Sequence, residues 1–195
     1  MKRILCLVIC IFTCFMFGCS SNNDTNESNR EKREVIEEAE YYRVYKGTLT
    51  EVCYEIYDTN GKVVLSKETD NLVEIDMLNN HIVLIKTGLG TGISNYKYYD
   101  ASKGVFSQDY TYVLANTNDL VAYMEVPKEN PMENRKVVVQ NMFDKVLFYK
   151  EYQLDFARID TPVIKALFLN NGTQIQLTYL SGEDQTKIIT TLDIT

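Results

Sequence analysis

Tryptophan is absent from this 195-residue chain, histidine occurs once, and four of the five cysteines fall within the first nineteen residues. Each shortage excludes something. His81 has no cysteine or histidine near it at a ligand spacing, so no metal set is expected, and nothing in the sequence implies a cofactor. A serine–histidine centre would have to be built on that same residue, and Gly-x-Ser-x-Gly does not occur, so no catalytic residue is assigned. Positive charge is also scarce: 20 Lys and Arg against 27 Asp and Glu give a net charge of −7. That balance argues against nucleic acid as a partner and against polybasic contact with anionic lipid heads. Apolar side chains vanish altogether from Ser20 to Arg33 (SSNNDTNESNREKR). Such a run cannot bury enough surface to offset chain entropy, and it is expected to stay disordered as a tether.

What is present begins with Lys2 and Arg3, then a short apolar run from Ile4 to Phe17, then Gly18-Cys19-Ser20-Ser21. A charged start, a brief apolar core and a small residue before the cut are the parts of a secretory signal. As an uncleaved helix, Ile4 to Gly18 would rise only about 22 Å at ~1.5 Å per residue, short of the ~30 Å hydrocarbon core. Met16-Phe17-Gly18-Cys19 resembles a bacterial lipobox; Gly18 and Cys19 match it, while Met16 and Phe17 depart from its usual leucine and small residue. The resemblance implies cleavage before Cys19 and a diacylglycerol on its sulfur. That would hold the protein at the extracytoplasmic face of the cell membrane, with two acyl chains sufficing for stable attachment.

The expected organisation is therefore a signal peptide over 1–18, a lipidated cysteine and tether over 19–40, and a folded domain over 41–195. Within the tether, Glu34 to Glu40 reads as linker with a transient helix, because so short a helix is marginal alone. Removing the leader takes away Lys2 and Arg3 and leaves a net charge of about −9. It also removes Cys6, Cys10 and Cys14, and lipid consumes Cys19. Cys53 is then the one cysteine of the folded part, which excludes an internal disulfide framework. Between Val52 and Tyr54 it reads as a small apolar residue inside a strand.

From Tyr41 onward short runs alternate apolar and polar residues and are rich in Tyr, Val, Ile and Thr, as in Leu72-Val73-Glu74-Ile75-Asp76-Met77. The fold class is all-β. Two hairpins recur. The first joins a strand, an Asp or Asn, a turn and a strand: Tyr54-Glu55-Ile56-Tyr57-Asp58 through Val63, Tyr96-Lys97-Tyr98-Tyr99-Asp100 through Val105, and Val137-Val138-Val139-Gln140-Asn141 through Val146, with Ile189-Thr190-Thr191-Leu192-Asp193 as the first half of a fourth. The complete copies lie about 42 residues apart, within the range of four-stranded blades. The second hairpin has an Asn-rich turn and recurs at Ile75 to Leu84, Tyr112 to Val121 and Leu167 to Ile175, where tight turns favour residues that tolerate positive φ. Together they define antiparallel four-stranded meander repeats. The pattern resembles the blades of quinoprotein-like β-propellers over roughly residues 43–195, with about three and a half units, without the tryptophan that follows the Gly-Lys-Val turn, and with an excursion from Gln153 to Pro162. Closed propellers have four to eight blades; a two-sheet β-sandwich is the alternative arrangement.

Thr87-Gly88-Leu89-Gly90-Thr91-Gly92 is followed by a strand instead of a helix amino terminus, so it reads as an inter-strand loop and not a phosphate cradle. Asp58-Thr59-Asn60-Gly61 lacks the late acid of a calcium loop and reads as a turn. Tyrosine is the one excess. Tyr96, Tyr98, Tyr99, Tyr110 and Tyr112 crowd the second unit and are the candidate binding residues, an aromatic patch for peptide or glycan. The competing reading is cross-strand packing, with Tyr96 and Tyr98 on one face of a strand and Tyr99 on the other. The expected function is a membrane-anchored, non-enzymatic binding or scaffold module for a protein, peptide or envelope component. The alternatives are a small exported hydrolase with carboxylate catalysis, requiring acids from separate units in one deep pocket, and a subunit whose assembly completes a propeller.

Overall fold

The alternating runs become strands that pair in chain order. The computed structural model describes residues 33–47, 51–90 and 92–194. Val35–Thr195 form one compact unit, and of the residues before it only Arg33 and Glu34 are described. Cys19 and the polar run before Arg33 thus lie outside the described residues.

Four antiparallel sheets follow one another. The first holds β1 (Val35–Ala39), β2 (Tyr42–Lys46), β3 (Val52–Tyr57) and β4 (Val63–Thr69). The second holds β5 (Val73–Met77), β6 (Ile82–Gly88), β7 (Ser94–Asp100) and β8 (Val105–Phe106), with β9 (Tyr110–Thr111) also pairing β7. The third holds β10 (Val113–Asn116), β11 (Leu120–Glu125), β12 (Lys136–Asn141) and β13 (Tyr149–Gln153). The fourth has three strands, β14 (Val163–Leu169), β15 (Gln174–Ser181) and β16 (Thr186–Asp193). The molecule is all-β, a propeller-like succession of meanders; among the described residues no helix is long and apolar enough to cross a membrane.

The first unit starts earlier than the sequence suggests. Val35-Ile36-Glu37-Glu38-Ala39 is strand β1, not a linker with transient helix. Its side chains are mostly exposed and carry no alternation, so its state is set by pairing to β2, with Ala39 opposite Tyr42 and Glu38 opposite Arg43. Tyr42 Oη donates to Glu37 Oε1 at 2.7 Å, and Arg43 Nε lies 3.1 Å from Glu38 Oε2. Among the described residues the expected three and a half units thereby resolve into three sheets of four or five strands and one of three.

The recurrent Asp or Asn has a physical cause. Asp58 Oδ1 accepts from the amides of Asn60 and Lys62 at 2.9 Å, Asp100 Oδ1 from those of Ser102 and Lys103 at 3.0 and 3.2 Å, and Asn141 Oδ1 from those of Phe143 and Asp144 at 3.0 Å. One side-chain oxygen thus closes each third-to-fourth strand turn in the way an Asx turn does. Gly61 and Gly104 complete the first two at φ +75° and +67°.

Three apolar layers lie between successive sheets. Tyr42, Val44, Tyr54, Ile56, Val83, Ile85 and Tyr99 join the first and second. Ile82, Tyr98, Tyr110, Val121 and Met142 join the second and third. Val137, Val139, Phe156, Ile175, Leu177 and Tyr179 join the third and fourth. The inner strands of the second and third sheets are therefore covered on both faces, which is why Val137, Val138 and Val139 are all wholly buried. Cys53 is buried within β3, as its neighbours suggested.

Candidate functional site

The chain steps from the second sheet to the third within a single residue. Tyr110 and Thr111 of β9 pair with Tyr96 and Asn95 of β7, and β10 opens at Val113. Tyr112 stands between them with φ +51°, and its carbonyl accepts from the Met124 amide at 3.0 Å. A left-handed backbone is uncommon for so bulky a residue and costs of order 1–3 kcal/mol. Here it turns the backbone sharply enough to leave a cleft of about 190 Å³, lined by Tyr110, Tyr112 and Tyr123 with the exposed Asp109 and Glu125.

Beneath the cleft the polar groups are matched. Gln140, 3% exposed, donates through Nε2 to Tyr110 Oη at 2.9 Å and accepts at Oε1 from Tyr123 Oη at 3.2 Å. Tyr110 Oη in turn donates to the Met142 carbonyl at 2.7 Å. The rings form a ladder across the two sheets, with centroids 5.9 Å apart for Tyr98 and Tyr110 and 5.4 Å for Tyr110 and Tyr123. Burial raises the Tyr110 phenol above its ordinary range, and burial together with Glu125, Tyr110 and Glu151 pushes Tyr123 up to about 12. Both remain hydrogen-bond donors at neutral pH. The two carboxylates are already engaged: Asp109 lies 3.2 Å from Lys97, and Glu125 lies 3.8 Å from Lys136, which also meets Glu151 at 2.8 Å.

Of the five tyrosines expected to bind, Tyr98 and Tyr99 are 0% exposed and Tyr110 is 2% exposed. Tyr99 faces the first sheet and takes no part in the cleft. Tyr96 is half-buried against the layer that holds Tyr98 and Tyr110. The fold thus brings Tyr110 and Tyr112 to one cleft and adds Tyr123, which sequence spacing did not single out because it comes from the next unit. His81 sits in the turn before β6, where its amide donates to Asn79 Oδ1 at 2.9 Å.

No family model matches the chain, and no curated protein matches it either. What the cleft can do follows from its size and lining. At about 190 Å³ it is smaller than the ~300–1,000 Å³ typical of small-molecule sites. It suits one protruding side chain, either flat or cationic, against phenol rings.

Two other concavities differ in kind. One of about 450 Å³ is lined by Thr117, Asn118, Asp119, Leu120 and Asn171 at turns of the third and fourth units. Another, about 210 Å³, is built around Arg135, which is 4% exposed. Arg135 Nε donates to the Pro131 carbonyl and Nη1 to that of Ile159, tying the β11–β12 loop to the β13–β14 connection. Arg158 and Glu133 pair at 3.3 Å in the same cleft. This clamp, too, was invisible in the sequence, where Arg135 is one charged residue in a polar loop.

Proposed function

We propose that the protein is a lipid-anchored, extracytoplasmic, non-enzymatic binding module that holds a peptide or protein segment at the membrane surface. The reading of the address rests on Gly18-Cys19 after a short apolar run with Lys2 and Arg3 before it. The observation that carries the binding reading is the tyrosine cleft between the second and third sheets, where the left-handed backbone of Tyr112 and the buried Gln140 hold three rings in place. Rigid aromatic groups gain contact area at small entropic cost. A protruding basic or aromatic side chain of the partner would enter the cleft, and the anchor would raise the local concentration of the module beside membrane-bound partners.

Cross-linking and recovery of the native anchored protein tests this against two variants. Tyr112→Gly removes one ring while allowing the same backbone, since glycine adopts positive φ without strain. Cys19→Ala removes the lipid attachment point. Neighbours that depend on the cleft are lost with Tyr112→Gly, and those that depend on position are reduced with Cys19→Ala. The same neighbours at the same level in all three forms would overturn the proposal.

A further inference from the structure

The fourth sheet has three strands where the others have at least four, and the missing strand is the outermost one. Among the described residues nothing pairs with the outer edge of β16. That edge is long and regular. All eight residues of β16 pair with β15 without a register shift, from Gln174 opposite Asp193 to Ser181 opposite Thr186. The Ile194 amide donates to the Thr173 carbonyl at 2.8 Å. Alternation along an antiparallel ladder then turns the backbone groups of Ile188, Thr190 and Leu192 toward β15, and those of Lys187, Ile189, Thr191 and Asp193 away from it.

The outermost strands of the first and third sheets are guarded by charge. The middle of β4 carries Ser66, Lys67 and Glu68, and β13 carries Lys150 and Glu151. In β16 the middle is Ile188-Ile189-Thr190-Thr191-Leu192, with Lys187 and Asp193 only toward its ends, and Ile189 is 64% exposed. A long uncharged edge is what proteins ordinarily avoid unless it receives a strand.

The place beside this edge already has a wall. Tyr152 pairs with Val137 and Lys150 with Val139, so both side chains lie on the face of the third sheet that meets the fourth. Lys150 Nζ and Tyr152 Oη reach past the edge to the Asp193 carbonyl at 2.9 and 2.6 Å. Phe148, Tyr152 and Leu154 are only partly buried against the shared core. The third sheet therefore overhangs the position that a fourth strand would fill. A strand added there would meet Phe148, Tyr152 and Leu154 on one face and have Lys187 beside it on the other.

We infer that β16 is an acceptor edge for a single extended segment of a partner protein, added antiparallel as the fourth strand. Its side chains would be apolar at alternate positions to cover Phe148, Tyr152 and Leu154, with an acidic residue opposite Lys187 on the outer face. This edge is separate from the tyrosine cleft, and either can hold without the other.

A probe is available in the protein's own first sheet: a synthetic peptide with the sequence of residues 63–69 (VVLSKET), which already serves there as an outermost strand. Residue-resolved hydrogen exchange on the full chain, with peptide raised to about 1 mM, is expected to slow the amides of Lys187, Ile189 and Thr191 by at least about tenfold. The amides of Ile188 and Thr190, bonded already, should change little. Ile189→Pro removes one outward amide while leaving the β15 ladder intact, a position where an edge strand tolerates proline; it should keep the fold and lose the effect. A second variant appends residues 59–69 after Asp193, filling the edge from within the chain. It should protect the same amides without peptide and bind none. Unchanged exchange at 187, 189 and 191 in both the peptide titration and the appended variant would overturn the inference. So would equal protection in Ile189→Pro, or protection that rises with protein concentration alone alongside a doubled mass.

Discussion

Tyr98 and Tyr99 are consecutive and wholly buried, yet they belong to different cores: Tyr98 lies between the second and third sheets, Tyr99 between the first and second. The two-residue period of β7 sends their rings to opposite faces, and both faces are covered. Neither hydroxyl has a hydrogen-bond partner within the described structure. A buried hydroxyl without a partner costs about 1–3 kcal/mol, whereas the ring itself contributes by burial and contact. Tyr98→Phe is therefore expected to raise stability by about 1 kcal/mol, and Tyr98→Ala to lower it by about 3–5 kcal/mol. Urea unfolding of both variants checks the pair of signs. A loss in Tyr98→Phe as large as that in Tyr98→Ala would mean that the hydroxyl, and not the ring, holds the layer.

Asp100 gives an acid limb to stability. Its side chain is 1% exposed, with Oδ2 2.9 Å from Lys103 Nζ and Oδ1 closing the turn. Burial raises its pKa, but the bonds from Ser102 and Lys103 outweigh burial, so the carboxyl titrates below its usual range. A carboxyl depressed in the folded state stabilises it above the unfolded value of about 3.9, and that contribution is lost as pH falls through the lower folded value. Asp100→Asn should keep the turn and flatten this limb of the stability profile. Asp100→Ala should lose the turn as well, at about 2–3 kcal/mol near neutral pH. Thermal unfolding between pH 2 and pH 7 separates the two.

Much of this arrangement could be read in the chain. Alternation gave the strands, the spacing of Asp58, Asp100 and Asn141 gave the repeat, and the side-chain period divided Tyr98 from Tyr99. What was illegible depended on neighbouring sheets. Val35 to Ala39 has no alternation and becomes a strand only because β2 offers an edge. Tyr123 lines the tyrosine cleft and Gln140 lies beneath it, both from a different unit, and their partners lie 17 to 30 residues away along the chain. Exposure could not be foreseen for the tyrosines either, since a sheet packed on both faces buries whichever ring the period puts there.

Burial of Tyr123, with Glu125, Tyr110 and Glu151 nearby, links stability to alkaline pH. With Tyr123 pushed up to about 12, the folded state holds its proton more tightly than an unfolded phenol near 10. That contribution is intact below about pH 10 and is lost as pH rises through about 12. Tyr123→Phe should therefore retain more of its stability across this range than the native chain does. Gln140→Leu should cost about 1–3 kcal/mol at neutral pH by leaving the Tyr110 and Tyr123 hydroxyls short of a partner. Unfolding measured at pH 8 and pH 11 in the native chain and both variants tests the assignment; an unchanged alkaline slope in Tyr123→Phe counts against it.

Arg135 is the charged residue whose loss should be felt most locally. Its guanidinium spans the Pro131 and Ile159 carbonyls, so one side chain fixes two loops that otherwise have few bonds between them. Arg135→Ala removes both donors and leaves two carbonyls to find water, at about 2–4 kcal/mol. Arg135→Lys recovers little, because an ammonium is a point donor and cannot reproduce the planar fork. The expected signature is regional: faster hydrogen exchange and earlier proteolytic cutting in 126–135 and 154–162, with the ladder between β2 and β3 unaffected. Uniform loosening of all four sheets would instead make Arg135 part of the general core, and equal protection in the lysine variant would show that charge alone holds the loops.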